Sequence, residues 1–112
     1  MGYCRAVRIG NIVEVAGTVA LVDGDKVKAN DVYAQTNNII SRIEKVLQDA
    51  GATLEDVIRT RIFTTDISYF DDIARAHGEF FHTIKPTTGI YEISKLVSPD
   101  YLVEIEFTAI VQ

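Results

Sequence analysis

The sequence predicts one α+β domain in which two helices cover one face of a single sheet. Three observations carry this prediction. The final stretch alternates strictly: Val103, Ile105, Phe107, Ala109 and Val111 point one way, and Leu102, Glu104, Glu106, Thr108 and Ile110 point the other. A period of two belongs to a strand with one apolar face. Two other stretches repeat apolar residues at spacings of three and four, as amphipathic helices do. The segments between are β-branched and aromatic, and turn residues bound them.

The elements follow in order. Residues 4–9 and 12–17 read as two short strands, and Gly10-Asn11 between them suits a tight hairpin. Asp23-Gly24-Asp25 is a second turn signal, and Lys26 to Ala29 is expected to pair back across it. Asn30 or Asp31 is placed to cap a helix. Its stripe is Val32, Ile39, Ile40, Ile43, Val46, Leu47 and Ala50, with Gln35 and Arg42 among the residues left for the remaining surface. Gly51 ends it as a C′ glycine. Thr53 to Asp56 forms one capped turn, and Val57 to Thr65 is a strand. Ser68 opens a second helix, with Asp71 three residues on as in a capping box. Its stripe is Phe70, Ile73, His77, Phe80 or Phe81, and Ile84. Lys85-Pro86 closes it, because the residue before proline is driven out of the helical region. Thr88 to Lys95 and the alternating stretch are two further strands, joined by a turn at Ser98-Pro99-Asp100. The order is ββ(β)-α-β-α-β-β. The second sheet face has no helix to cover it, so an oligomer that buries sheet against sheet is expected.

Composition narrows the function classes. The 112 residues suit one domain, spanning 1–112, and the net charge is -5. A nucleic-acid backbone calls for a basic patch. Arg59 and Arg61 form the densest cationic pair, which argues against nucleic acid as a partner. The single cysteine, Cys4, permits no disulfide within the chain. It reads as a packed small residue in a reducing compartment. No membrane span and no leader pattern is visible, and the expected location is the cytoplasm.

Few residues offer chemistry. His77 and His82 lie five apart on one helix and splay to different sides, a poor geometry for a metal. His77 fits a packed, hydrogen-bonded histidine. Arg59 and Arg61 share a strand face and serve either an ion pair or an anion. Glu104 and Glu106 share a face of the last strand. They are either a solvated polar face or a carboxylate that holds a water or accepts a proton.

Four stretches carry a family resemblance. They are Tyr3 with Ile9-Gly10-Asn11 and Val15-Ala16-Gly17; the helix after Asp31 with Gln35, ending at Ala50-Gly51; Leu54-Glu55-Asp56-Val57 with Thr64-Thr65-Asp66; and Pro86 through Val103-Glu104-Ile105-Glu106. Together the chain resembles the Rid family, also called YjgF or L-PSP endoribonuclease-like. The resemblance implies a chorismate-mutase-like fold, a mixed sheet of about six strands with two helices on one face. It implies a homotrimer around a central barrel, with small-molecule clefts between subunits. It also implies hydrolysis of reactive enamines and imines to 2-oxo acids and ammonia, with no metal and no cofactor. Some members are described as ribonucleases or translation inhibitors.

Carried over residue by residue, the resemblance makes Glu104 the group that positions the hydrolytic water. Tyr3 and Gly17 line the cleft, and Thr88 stands where the archetypal deaminases hold an arginine for the substrate carboxylate. Threonine makes no bidentate ion pair, so this sequence resembles the subgroup without the arginine. Ala16 and Ala74 replace a serine and an asparagine usual in the cleft. Arg5, Arg59 or Arg61 is a candidate substitute cation. Three functions are thereby expected in descending order: a hydrolase of an imine-like metabolite, a non-catalytic metabolite-binding trimer, and a ribonuclease.

Overall fold

The computed structural model describes residues 1–22 and 27–112. Strands β1 (Ala6–Ile9) and β2 (Ile12–Thr18) form the first hairpin. Ile9 pairs with Ile12 across the two-residue turn, and Gly10 supplies its positive φ of 60°. Helix α1 (Val32–Asp49) and a single 3₁₀ turn (Leu54–Asp56) lead to β3 (Val57–Thr64). A second 3₁₀ turn (Ile67–Tyr69) runs into α2 (Phe70–Phe81), followed by β4 (Thr87–Glu92) and β5 (Val103–Ile110).

The sheet order is β1-β2-β5-β3-β4. β3 and β4 are parallel and every other neighbouring pair is antiparallel, so the sheet is mixed. Both helices pack on one face. The alternation in β5 decides which side that is: Val103, Ile105, Phe107 and Ala109 are buried against the helices. They meet Ile39, Ile40, Ile43 and Leu47 of α1 and Ile73 and Phe81 of α2 in one core. Burying each of the valine, leucine, isoleucine and phenylalanine side chains is worth about 1.5–3 kcal/mol.

Helix α1 has the ends its sequence announces. The Asp31 carboxylate accepts the Ala34 N–H at 2.9 Å. At the other end Gly51 has φ 82°, and its N–H reaches the Gln48 carbonyl while that of Ala52 reaches Leu47. These are the paired bonds of a Schellman stop. The Arg8 side chain adds a bond to the Ala50 carbonyl at 2.7 Å, tying β1 to the helix terminus.

Several expectations need correction. The sheet has five strands among the described residues, not about six. The turn expected at Asp23-Gly24-Asp25, with Lys26, lies outside the described residues, and Val27 to Ala29 are not in a strand. Their carbonyls are used otherwise: Lys28 receives the Asp31 N–H, and Ala29 receives the Gln35 side-chain amide at 3.0 Å. Gln35, expected on the surface, is fully buried. Its amide also donates to the Asp100 carbonyl, and its oxygen accepts the Leu102 N–H, both at 3.0 Å. One side chain thus fixes the entry to β5. Asp66, not Ser68 with Asp71, caps the second helical segment by accepting the Ser68 N–H. Cys4 is exposed instead of packed.

The face away from the helices carries Val7, Ile9, Ile12 and Tyr91, all large, apolar and exposed. Arg61 and Glu106 lie on it as cross-strand partners and form an ion pair at 2.5 Å. With each side chain 31% exposed, such a pair is worth about 1 kcal/mol or less. No helix of the described residues is long and apolar enough to cross a membrane.

Candidate functional site

A register break between β2 and β5 builds the site. Val15 pairs with Phe107 and Thr18 with Ile105, so Ala16 and Gly17 together oppose one residue. A bulge of this kind re-aims the strand and its neighbours. It brings Gly17 beneath the side chain of Glu104. A Cβ built on Gly17 would lie 2.8 Å from Glu104 Oε2 and 2.9 Å from the carboxyl carbon. The carboxyl therefore rests directly on the glycine backbone.

Glu104 lines an open cavity of about 340 Å³ together with Tyr3, Arg5, Gly17, Arg42 and Tyr101. Each element contributes for a local reason. The chain before β1 brings Tyr3 and Arg5, and Arg5 is steadied by a 2.8 Å bond to Thr18 Oγ1. Arg42 comes from α1 and donates to the Val19 carbonyl. Tyr101 follows the turn anchored by Gln35.

The electrostatics of Glu104 are set by this setting. Burial pushes its carboxyl above the ordinary carboxylate value, the like charge of Glu106 pushes it further, and Arg5 pulls it back. A carboxylate of raised basicity is better matched to accepting a proton near neutrality. Glu106, two residues on, spends itself on Arg61 and does not line the cavity.

Three of the four residues singled out from sequence, Tyr3, Gly17 and Glu104, thus converge. Thr88 does not join them. It pairs with the buried Thr60 on the helix side of the sheet, whereas Glu104 is on the opposite face. Its hydroxyl lies 2.8 Å from Thr60 Oγ1 and 3.1 Å from the Pro86 carbonyl. It lines a second cavity, of about 250 Å³, with Phe70, Ala74 and His77. His77 Nε2 lies 3.0 Å from Thr60 Oγ1, and its ring stacks on Phe81 at 4.7 Å. Burial pushes its pKa down, favouring the neutral ring. This is the packed, hydrogen-bonded histidine the sequence suggested.

The candidate cations also separate. Arg61 is committed to Glu106, and Arg59 lies outside the Glu104 cavity. Arg5 lines it, and so does Arg42, which the helical pattern had assigned to the outer surface. The signal that marks Arg42 is tertiary: the Val19 carbonyl at the end of β2 turns its side chain toward the cavity.

Fold and site define a class: a small α+β domain with a half-buried carboxylate laid over a glycine at a β-bulge, in an open cavity walled by arginine and tyrosine. The family model described as Endoribonuclease L-PSP matches residues 1–111. The chain belongs to this family, the YjgF or Rid family. It is 33% identical over 109 residues to a RutC family protein of Pyrococcus abyssi, covering 96% of this chain and 84% of that one. It is 34% identical over 108 residues to the 3-aminoacrylate deaminase RutC of Acinetobacter baylyi, covering 96% and 85%. Among solved structures, a YjgF/YER057c/UK114 family member from Mycobacterium tuberculosis superposes with a TM-score of 0.88 at 48% identity, covering 97% of this chain and 86% of that one. The YjgF protein of E. coli superposes with the same TM-score at 23% identity, covering 99% and 89%, a likeness of fold.

Proposed function

We infer that this protein is a cofactor-free hydrolase of a small imine- or enamine-type metabolite, acting as a homotrimer with its clefts between subunits. The observation that carries the reading is the Glu104 carboxyl, raised in basicity and laid against Gly17 in an open cavity. In the proposed step the Glu104 carboxylate takes a proton from water as the water oxygen bonds to the C=N carbon. The protonated Glu104 returns that proton to the nitrogen, giving a carbinolamine; its O–H proton then passes to the amine as the C–N bond breaks, and ammonia leaves behind a carbonyl. A relative that is named a deaminase supports this reaction class.

Two features support an assembly. The uncovered sheet face carries exposed apolar side chains. Within one chain, Thr88 and Glu104 line separate cavities, so one cleft that uses both requires a second subunit. Light scattering is expected to give three times the 12.4 kDa chain mass; a monomer at micromolar concentration would refute the trimer.

Thr88 sets the limit of the activity. Its hydroxyl is engaged with Thr60 and Pro86, and it offers a carboxylate no charge. We expect short 2-imino acids, generated in a coupled assay, to be hydrolysed far more slowly than by an arginine-bearing relative. Thr88→Arg is expected to raise the rate. Comparable kcat/KM values for the wild type and that relative would sink this account of Thr88. The engaged Thr88 hydroxyl also favours a second reading, a trimer that binds a metabolite without turnover. Absence of ammonia release from every imine tested, with ligand binding intact, would select it.

A further inference from the structure

We propose that the Glu104 cavity is an anion site in which Arg5 and Arg42 grip a small carboxylate at the β1–α1 wall, supplying part of the positive charge that Thr88 lacks. This rests on reading the cavity as the substrate site, and it assigns to Arg5 and Arg42 the hold on the ligand's carboxylate.

The two arginines reach the cavity from different elements, the segment before β1 and the middle of α1. Each guanidinium carries five N–H donors. Arg5 commits one to Thr18 Oγ1, and Arg42 commits one to the Val19 carbonyl. These bonds orient the groups and leave other donors for a ligand. Among the described residues neither arginine forms an ion pair, whereas Arg61 is paired with Glu106 and Arg75 with Asp72.

Charge is concentrated here against the trend of the molecule. The chain carries a net charge of -5. Among the described residues the cavity wall holds two arginines against one glutamate, and that glutamate is pushed toward its neutral form by burial. The cations feel each other: burial pushes Arg42 down, and Arg5 pushes it further. A monoanion seated between them would relieve that repulsion. Guanidinium matches a carboxylate through parallel N–H bonds, and Tyr3 and Tyr101 supply flat walls for a short carbon skeleton. A volume of about 340 Å³ admits a small metabolite.

The test uses propanoate, which has no imine to hydrolyse, and its neutral isostere propanamide. Each is titrated into the full-length ¹⁵N-labelled protein, with the Gly17 amide as reporter. Propanoate is expected to bind and propanamide not. Arg5→Gln is expected to weaken propanoate by about tenfold or more, the loss of a charge-assisted contact, and Arg42→Gln likewise. Glu104→Gln, which removes the negative charge from the wall, is expected to tighten it. Arg59→Gln, outside the cavity, is expected to leave it unchanged. If Arg42→Gln does not fold, the exposed Arg5 decides. Equal binding of propanamide, an unchanged affinity in Arg5→Gln, or an equal loss in Arg59→Gln overturns the proposal. The two readings fail separately. Arginine-dependent propanoate binding without any imine turnover leaves the anion site standing and removes the hydrolase. Turnover with arginine-independent propanoate binding does the reverse.

Discussion

The Glu104 carboxyl lies on Gly17, closely enough that any side chain at residue 17 would touch it. The contact explains why a glycine occupies the bulge although its φ is not in the left-handed region. The constraint is space above the backbone.

Gly17→Ala tests that contact. The added methyl displaces the flexible end of Glu104, not a packed backbone, so the fold survives. Displacement by about an ångström is enough to cost a reaction tenfold to a hundredfold. We expect a loss of that order in kcat/KM for imine hydrolysis, with the melting temperature nearly unchanged. Full activity in a folded Gly17→Ala protein would contradict this account of the glycine.

His77 makes stability depend on pH. Its folded-state pKa lies below the ordinary 6.5 because of burial. The unfolded chain therefore binds the proton more readily, and stability falls as pH drops below that value until the folded-state pKa is passed. Glu104 acts in the opposite sense. Its folded pKa lies above the ordinary 4.5, so stability is lost as pH rises through the window above that value. Urea unfolding at about pH 7.5 and about pH 5.5 separates the two when wild type and His77→Leu are compared. The wild type is expected to lose more stability on acidification than the variant. Equal losses would show that His77 is not held neutral by the fold.

The elements that were legible in sequence are those whose signal is local. Helix α1 announces itself by its stripe, by Asp31 at one end and by Gly51 at the other. β5 announces itself by alternation alone. Gln35 and Arg42 were not legible. Both are polar side chains on a helix, and what turns them inward is carbonyls delivered by distant segments, Asp100 for the first and Val19 for the second. Val27 to Ala29 are not in a strand, and the Ala29 carbonyl there accepts the Gln35 amide. Glu104 and Glu106 are alike in the alternating pattern. What separates them is the cross-strand Arg61 beside one and the bulge glycine beneath the other. The family resemblance placed Tyr3, Gly17 and Glu104 together and did not reveal that Thr88 opens on the other side of the sheet.

The central claim is that the Glu104 carboxylate activates water for imine hydrolysis. It is tested most directly by the rate of ammonia release from an imine substrate in wild type and in Glu104→Gln, across a pH series. The substitution keeps the shape of the side chain and removes its basicity. We expect kcat/KM to fall by about a hundredfold or more. The wild-type rate is also expected to decline on the acid side at a pH above the ordinary carboxylate value, and Glu104→Gln to lose that limb. A Glu104→Gln protein that hydrolyses the imine at the wild-type rate, with the same pH profile, would contradict the claim.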